Sequence, residues 1–367
     1  MGTRSPTADP RTAGCVMKIT CGAIEQLTAD QLAAWSRFQS ADPKLHSPYF
    51  RPEFAQAVET VRKDVEVAVL EVDGAPAGFW PFQRTRWNTA KPVGGRMSDF
   101  QGVVGQKGLR WNAEELIRGC GLAAWDFDHL LAWQQSFRAN HWKTAPSPYM
   151  DLSGGFNCYR STAHAQTISQ ALRKRRKLER EIGPLRLEAH TADPSIFKTL
   201  IYWKTEQYHS TGASNIFALG WTVALLENIF CQQHQSFSGV LTALYAGEQL
   251  AAVHFGMRSK HVLHCWFPAY NQSLHRYSPG LVLWIELARS AATLGIRRID
   301  LGKGAEQYKS SLMSGSVDVA EGFVACRPMA RFLRHGSREA RALARSLRLG
   351  NLARLLRRIH AWQSIPE

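Results

Sequence analysis

The sequence predicts a mixed α/β fold, on three observations. Strand-like segments at 240–245, 250–257 and 262–266 follow one another across turn signals at Gly247-Glu248 and Ser259-Lys260. A helix-like segment, 281–294, opened by Tyr277-Ser278-Pro279-Gly280 and closed by Gly295, then crosses to a further strand at 298–301. Repeated βαβ units are absent, as are GxGxxG and GxxxxGK[ST], so a doubly wound dinucleotide fold and P-loop hydrolysis both lose support. A meander followed by a helical crossover gives a mixed sheet covered by helices.

Taken in order, residues 1–17 are rich in Thr, Pro, Gly and Ala without an apolar period and read as a disordered lead-in, with Met17 a second candidate start. Residues 18–153 read as one unit. A helix spans about 29–40, Pro52 opens another after Ser47-Pro48-Tyr49-Phe50, residues 65–72 and 78–82 flank Asp73-Gly74 as a hairpin, and 125–132 is a further strand. Residues 154–184 form a basic connection, with a helix over 163–181 that carries Arg173-Lys174-Arg175-Arg176-Lys177 and stops at Gly183-Pro184. That cluster suits a phosphate or an anionic acceptor, or a solvated helix face. The unit 185–325 opens with a strand at 185–189 and helices at 194–209 and 221–233; after the meander and crossover, Gly302-Lys303-Gly304 leads into a short helix holding Tyr308 and Lys309. Residues 326–367 read as an Arg-rich amphipathic helical tail, suited to an anionic membrane surface, an acidic partner or the protein's own body.

Composition narrows the class. The 367 residues are 45% hydrophobic and 20% charged, as in globular chains of two ordinary domains. No stretch approaches the roughly 20 apolar residues of a membrane span, and the start lacks a signal-peptide core, so a cytoplasmic protein is expected. Seven scattered cysteines and thirteen histidines form no CxxC, no HExxH and no tetrahedral spacing, hence no metal is expected. Of the net charge of +15, residues 326–367 supply eight through ten Arg against two Glu. The moderately basic remainder fits an anionic cofactor better than DNA.

The run Leu244-Tyr245-Ala246-Gly247-Glu248-Gln249-Leu250-Ala251-Ala252, then Tyr270-Asn271, Tyr277-Ser278-Pro279-Gly280 and Asp300-Leu301-Gly302-Lys303-Gly304-Ala305-Glu306-Gln307-Tyr308-Lys309, resembles the GNAT acyltransferases. Within them it is similar to the CelD/BcsL-like branch associated with cellulose and other exopolysaccharide synthesis, and Ser47-Pro48-Tyr49-Phe50 and the basic helix share that likeness. The branch also resembles the FemAB transferases, which pair two GNAT-like halves. The resemblance implies two tandem halves, with 18–153 degenerate and 185–325 catalytic. It implies acetyl-CoA or another acyl-CoA as donor, a sugar or polysaccharide-precursor acceptor, and tRNA only in a FemAB-like case.

Acyl transfer from coenzyme A needs a splayed strand pair for the pantetheine arm and a helix N-terminus for the pyrophosphate. Arg276, Ser278, Pro279, Gly280 and Leu281 are the cofactor-binding candidates, although the usual loop, Gln/Arg-x-x-Gly-x-Gly/Ala, is reduced here to one glycine. Transfer also needs a base and an acid. Asp300, at a strand end, is the first candidate base, or else a helix cap. Tyr308 is the candidate acid, Lys309 a ligand for phosphate or an acidic sugar, and Glu306 a second carboxylate on the same turn. His254 lies on a central strand and is either catalytic or a core residue. Three functions remain open: acyl transfer to an amine or hydroxyl of a sugar, FemAB-like aminoacyl transfer to a cell-wall precursor, and a catalytically silent scaffold of a polysaccharide synthase.

Overall fold

The computed structural model describes residues 17–162, 165–304 and 306–326, so the Arg-rich tail and all but the last residue of the expected lead-in lie outside the described residues. The first half runs β1 (Met17–Ala23), α1 (Ala29–Ala41), α2 (Pro52–Val61), β2 (Val65–Val72), β3 (Ala75–Arg84), β4 (Thr89–Lys91), β5 (Val104–Gly105), α3 (Ala113–Gly119), β6 (Ala124–Leu131) and β7 (His141–Asp151). Two helices follow, α4 (Gly155–Thr162) and α5 (Ala165–Glu181), where one was expected. The second half runs β8 (Leu185–Glu188), α6 (Pro194–Thr211), α7 (Gly220–Cys231), β9 (Gln233–His234), β10 (Phe237–Ala246), β11 (Gln249–Ser259), β12 (Val262–Tyr270), α8 (Pro279–Ser290), β13 (Arg298–Asp300), α9 (Gln307–Leu312) and β14 (Gly315–Ala325). Both halves open strand, helix, helix, strand, strand.

Local chemistry sets several boundaries. The Thr28 hydroxyl and the Gln31 side chain cap each other's backbone at the start of α1. The Asp193 carboxylate caps α6, Pro194 takes its first position, and Gly212 ends it in the left-handed region. Asp73 and Gly74 both adopt positive φ, as a two-residue hairpin turn between β2 and β3 requires.

The strands form one continuous sheet in the order β1-β2-β3-β4-β6-β14-β7-β13-β12-β11-β10-β8. The strand at 298–301 is therefore not the last: β14, from the end of the second half, lies between β6 and β7 of the first, and β7 lies between β14 and β13. β7 carries Pro146 and Pro148 and is not among the strands expected from sequence. It pairs with β13 only over Tyr149–Asp151, and the Pro148 carbonyl accepts from the Leu301 N–H beyond the end of β13. The two prolines share one parity, so their missing N–H groups fall on that edge and cost no ladder bond to β14.

One apolar cluster runs through both halves, including Trp35, Phe54, Phe79, Phe197, Phe237 and Phe255; a second fills the space between the sheet and α8, around Trp284 and Leu283. A fully buried side chain of this size contributes roughly 1.5–3 kcal/mol. Among the described residues no helix is long and apolar enough to cross a membrane.

Candidate active site at a forked strand pair

β12 and β13 run parallel and pair over only three positions, Val262 with Arg298, Leu263 with Ile299 and His264 with Asp300. β13 then ends and the chain turns away, while β12 continues to Tyr270 with β11 on its other side. Among the described residues one edge of β12 has no strand partner from Cys265 onward, which leaves backbone groups there for an extended ligand. α8 starts beside the far end of that edge: a Cβ on Gly280 would sit 3.6 Å from the Tyr270 ring.

Polar side chains from both halves gather where the fork opens. His264, fully buried on β12, shares a 2.9 Å hydrogen bond between its Nε2 and Asp99 Oδ2. Asp99 comes from the loop after β4. Burial raises its carboxyl, but the His264 hydrogen bond and the charges of His264, His129 and Lys309 outweigh that and hold it below the usual carboxylate range. Asp99 is thus ionised and accepts only, so His264 donates to it from Nε2. A quarter of the Asp99 side-chain surface stays open. His129 on β6 sits 3.8 Å from its other oxygen and 3.0 Å from Asp128. Tyr49, from the Ser-Pro-Tyr-Phe segment, lays its ring edge on His264 with centroids 4.8 Å apart and donates to the Met97 carbonyl at 2.9 Å. Burial, then Asp99, keep its phenol protonated well above the usual range.

Gly302 makes this arrangement possible. It turns the chain out of β13 at φ 73°, and a Cβ there would come 2.9 Å from Asp99 Oδ2. Just beyond it, Lys303 donates to the Asp128 carbonyl at 2.7 Å, and Lys309 pairs with Glu306 at 3.2 Å. Lys204 of α6 reaches the free edge of β12, 3.4 Å from the Pro268 carbonyl, and burial pushes its ammonium pKa down. Cys265 lies near both ammonium groups, yet burial drives its thiol up to about 12, so it stays a thiol and no nucleophile. Among the described residues no group of three or more His, Cys, Asp or Glu is set to hold a metal.

The residues singled out from sequence take different places. Tyr308, Lys309 and Glu306 gather beside the fork; burial, then Cys265 and Glu306, push the Tyr308 hydroxyl well up, so it keeps its proton. Asp300 is 1% exposed and tied to Arg298 at 2.9 Å, itself laid over the Tyr149 ring, with the carboxylate among protein groups. His254 is fully buried against the Trp284 ring, 4.9 Å between centroids, without a partner for either nitrogen among the described residues. Burial and His264 lower its pKa to about 3. At the other end of the fork, Ser278 has φ 51° and gives α8 no side-chain cap, Pro279 is buried, and the Leu281 N–H already bonds the Ser278 carbonyl. Among the described residues the Gly280 amide, in the first turn, has no hydrogen-bond partner. Arg276 is exposed, and α5 lies alongside: Lys174 donates to the Arg276 carbonyl at 2.5 Å, and Lys177 lies over Tyr277. Asp99 and His264 have no short-range sequence signal, since they lie 165 positions apart, and nothing local links His129 or Lys204 to them.

Residues 165–310 match the acetyltransferase (GNAT) domain family. Among solved structures, FemX is similar with a TM-score of 0.57 at 9% identity, covering 84% of this chain and 98% of its own. The C-terminal DUF2156 domain of a putative lysylphosphatidylglycerol synthetase from Agrobacterium fabrum is similar with a TM-score of 0.51 at 13% identity, covering 83% and 95%. Comparison with curated protein sequences finds no match. At such identities these likenesses show the fold alone, and residues 165–310 are similar to the acetyltransferase (GNAT) domain.

Proposed function

We propose that the protein is an acyltransferase that draws an acyl-CoA along the free edge of β12 and passes the acyl group to an amine or hydroxyl held at Asp99. The observation that carries this is the three-residue pairing of β12 with β13, which ends at His264 beside the open face of Asp99. The pantetheine arm fits an unpaired strand edge. The first turn of α8 offers one free amide where such loops usually offer several, and the cations of α5 beside it supply the charge that the phosphates need.

Bond making and breaking then have assigned partners. As the acceptor's nitrogen or oxygen bonds to the acyl carbon, its proton passes to the Asp99 carboxylate, which His264 orients. The carbon–sulfur bond breaks and the departing thiolate takes the proton of Tyr308. Lys309, held by Glu306, faces the charge that gathers on the acyl oxygen. We assign the acceptor to a sugar of an exopolysaccharide; this rests on the sequence resemblance. The Arg-rich tail serves as a contact with an anionic membrane face or a synthase complex.

A second reading, aminoacyl transfer from tRNA, is favoured by the sparse amides of α8 and the basic α5. Calorimetry with acetyl-CoA, longer acyl-CoAs and charged tRNA separates the two. Micromolar acyl-CoA binding is expected; tRNA binding with a steep salt dependence and none by any acyl-CoA would select the second. Asp99→Asn should lower kcat by about 100-fold or more with donor affinity unchanged. An unchanged kcat removes Asp99 from the mechanism.

A further inference from the structure

A cavity of about 180 Å3 opens toward the C-terminal end of α8, opposite to the end that receives the donor. Val240, Leu263, Leu287 and Leu294 supply apolar wall; Arg258 and His190 bring its basic groups, beside the neutral polar Gln233 and Ser238. The two basic groups belong to neither the fork nor its mechanism.

Among the described residues Arg258 is a cation without an anion. Its Nε donates to the Ser259 carbonyl at 3.3 Å, Nη1 to Leu294 at 3.1 Å and Nη2 to Lys260 at 3.1 Å. Those carbonyls fix the guanidinium but carry no net charge. Of its five N–H groups two remain, one on each terminal nitrogen, as many as a carboxylate has oxygens to accept them. Among the described residues no carboxylate forms an ion pair with it, and burial alone pushes its pKa down. A half-buried charge held this way is costly until an anion joins it. His190 adds a directed donor: its Nδ1 accepts the Leu241 N–H at 3.4 Å, and burial lowers its pKa, so the neutral ring carries its proton on Nε2.

We propose that this cavity binds a small organic monocarboxylate with a short branched aliphatic body, its carboxylate on Arg258 and His190 and its carbons against Val240, Leu263, Leu287 and Leu294. The walls exclude a bare inorganic anion as the preferred occupant, because it would leave the apolar surface dry and empty. The volume suits about six or seven heavy atoms, since an apolar cavity of about 150 Å3 takes up benzene.

Calorimetry and thermal unfolding of the full chain with isovalerate, 3-methylbutan-1-ol and sulfate test this. Isovalerate should bind one to one with a Kd of about 1 mM or below and raise the Tm, while the alcohol of the same skeleton and sulfate bind at least about tenfold more weakly. Arg258→Lys should weaken isovalerate about tenfold, and Leu287→Phe should abolish it by filling the opposite wall, each with the wild-type circular dichroism. Absence of isovalerate binding overturns the proposal. So does equal binding of the alcohol, which needs no variant to read, or displacement of isovalerate by acetyl-CoA, which would place it in the fork.

Discussion

Gly302 and Asp99 act as a pair across the two halves. A side chain at 302 would meet both a left-handed backbone and the Asp99 carboxylate. Gly302→Ala should therefore cost about 1–2 kcal/mol in urea unfolding and lower kcat well beyond what that loss explains; an activity loss matched by the unfolded fraction would contradict this. His254 gives a prediction in pH. Its folded pKa of about 3 lies below its unfolded value, so the unfolded chain binds the extra proton between the two. The stability His254 contributes is present above pH of about 6.5 and falls by about 1.4 kcal/mol per unit as pH drops toward 3. Between pH 7 and 5 the wild type should lose about 2 kcal/mol more than His254→Phe; equal losses would mean a solvated or paired ring. At this scale the sequence reading was partial for physical reasons. Tyr308, Lys309 and Glu306 stand in one short segment and were legible together, whereas Asp99 and His264 are 165 positions apart and meet only through the fold.

At the scale of elements, the proposed donor site has α5 and α8 divide the work that one glycine-rich turn usually performs. α8 keeps its N-terminus beside the free edge of β12, and α5 leans its cations over that end, with Arg175 tied to Glu286 of α8 at 2.8 Å. The exposed members Arg173 and Arg176 are free to meet a ligand's phosphates. Replacing both by Ser should raise the KM for acyl-CoA several-fold, with kcat nearly unchanged and a smaller effect at high salt. A fall in kcat at constant KM would show that α5 acts on the chemistry. Helices with a cap or a proline start, and hairpins with Gly turns, were legible because their signals are local. β7 was not, since its two prolines suit a strand only when the edge they face is left open, and β14 follows a segment in which the last expected strand had already been placed.

For the whole molecule, the exchange of β7 and β14 makes the two halves one sheet. Neither half completes its own strand set, and the largest apolar cluster crosses between them. Urea unfolding followed by tryptophan fluorescence and by far-ultraviolet circular dichroism should give one coincident transition; two separated transitions would mean that the halves are independent. The joined halves also bring Asp99 to the proposed site: the first half has its own short parallel pair, β4 with β6, and the loop after β4 carries Asp99 across to the fork of the second half. The central claim is that this fork is the donor site, and hydrogen–deuterium exchange on adding acyl-CoA tests it most directly. Protection is predicted in peptides covering residues 265–270 and 279–282, with the paired region of β11 unchanged. Protection confined to other segments, with none along 265–270, would contradict it.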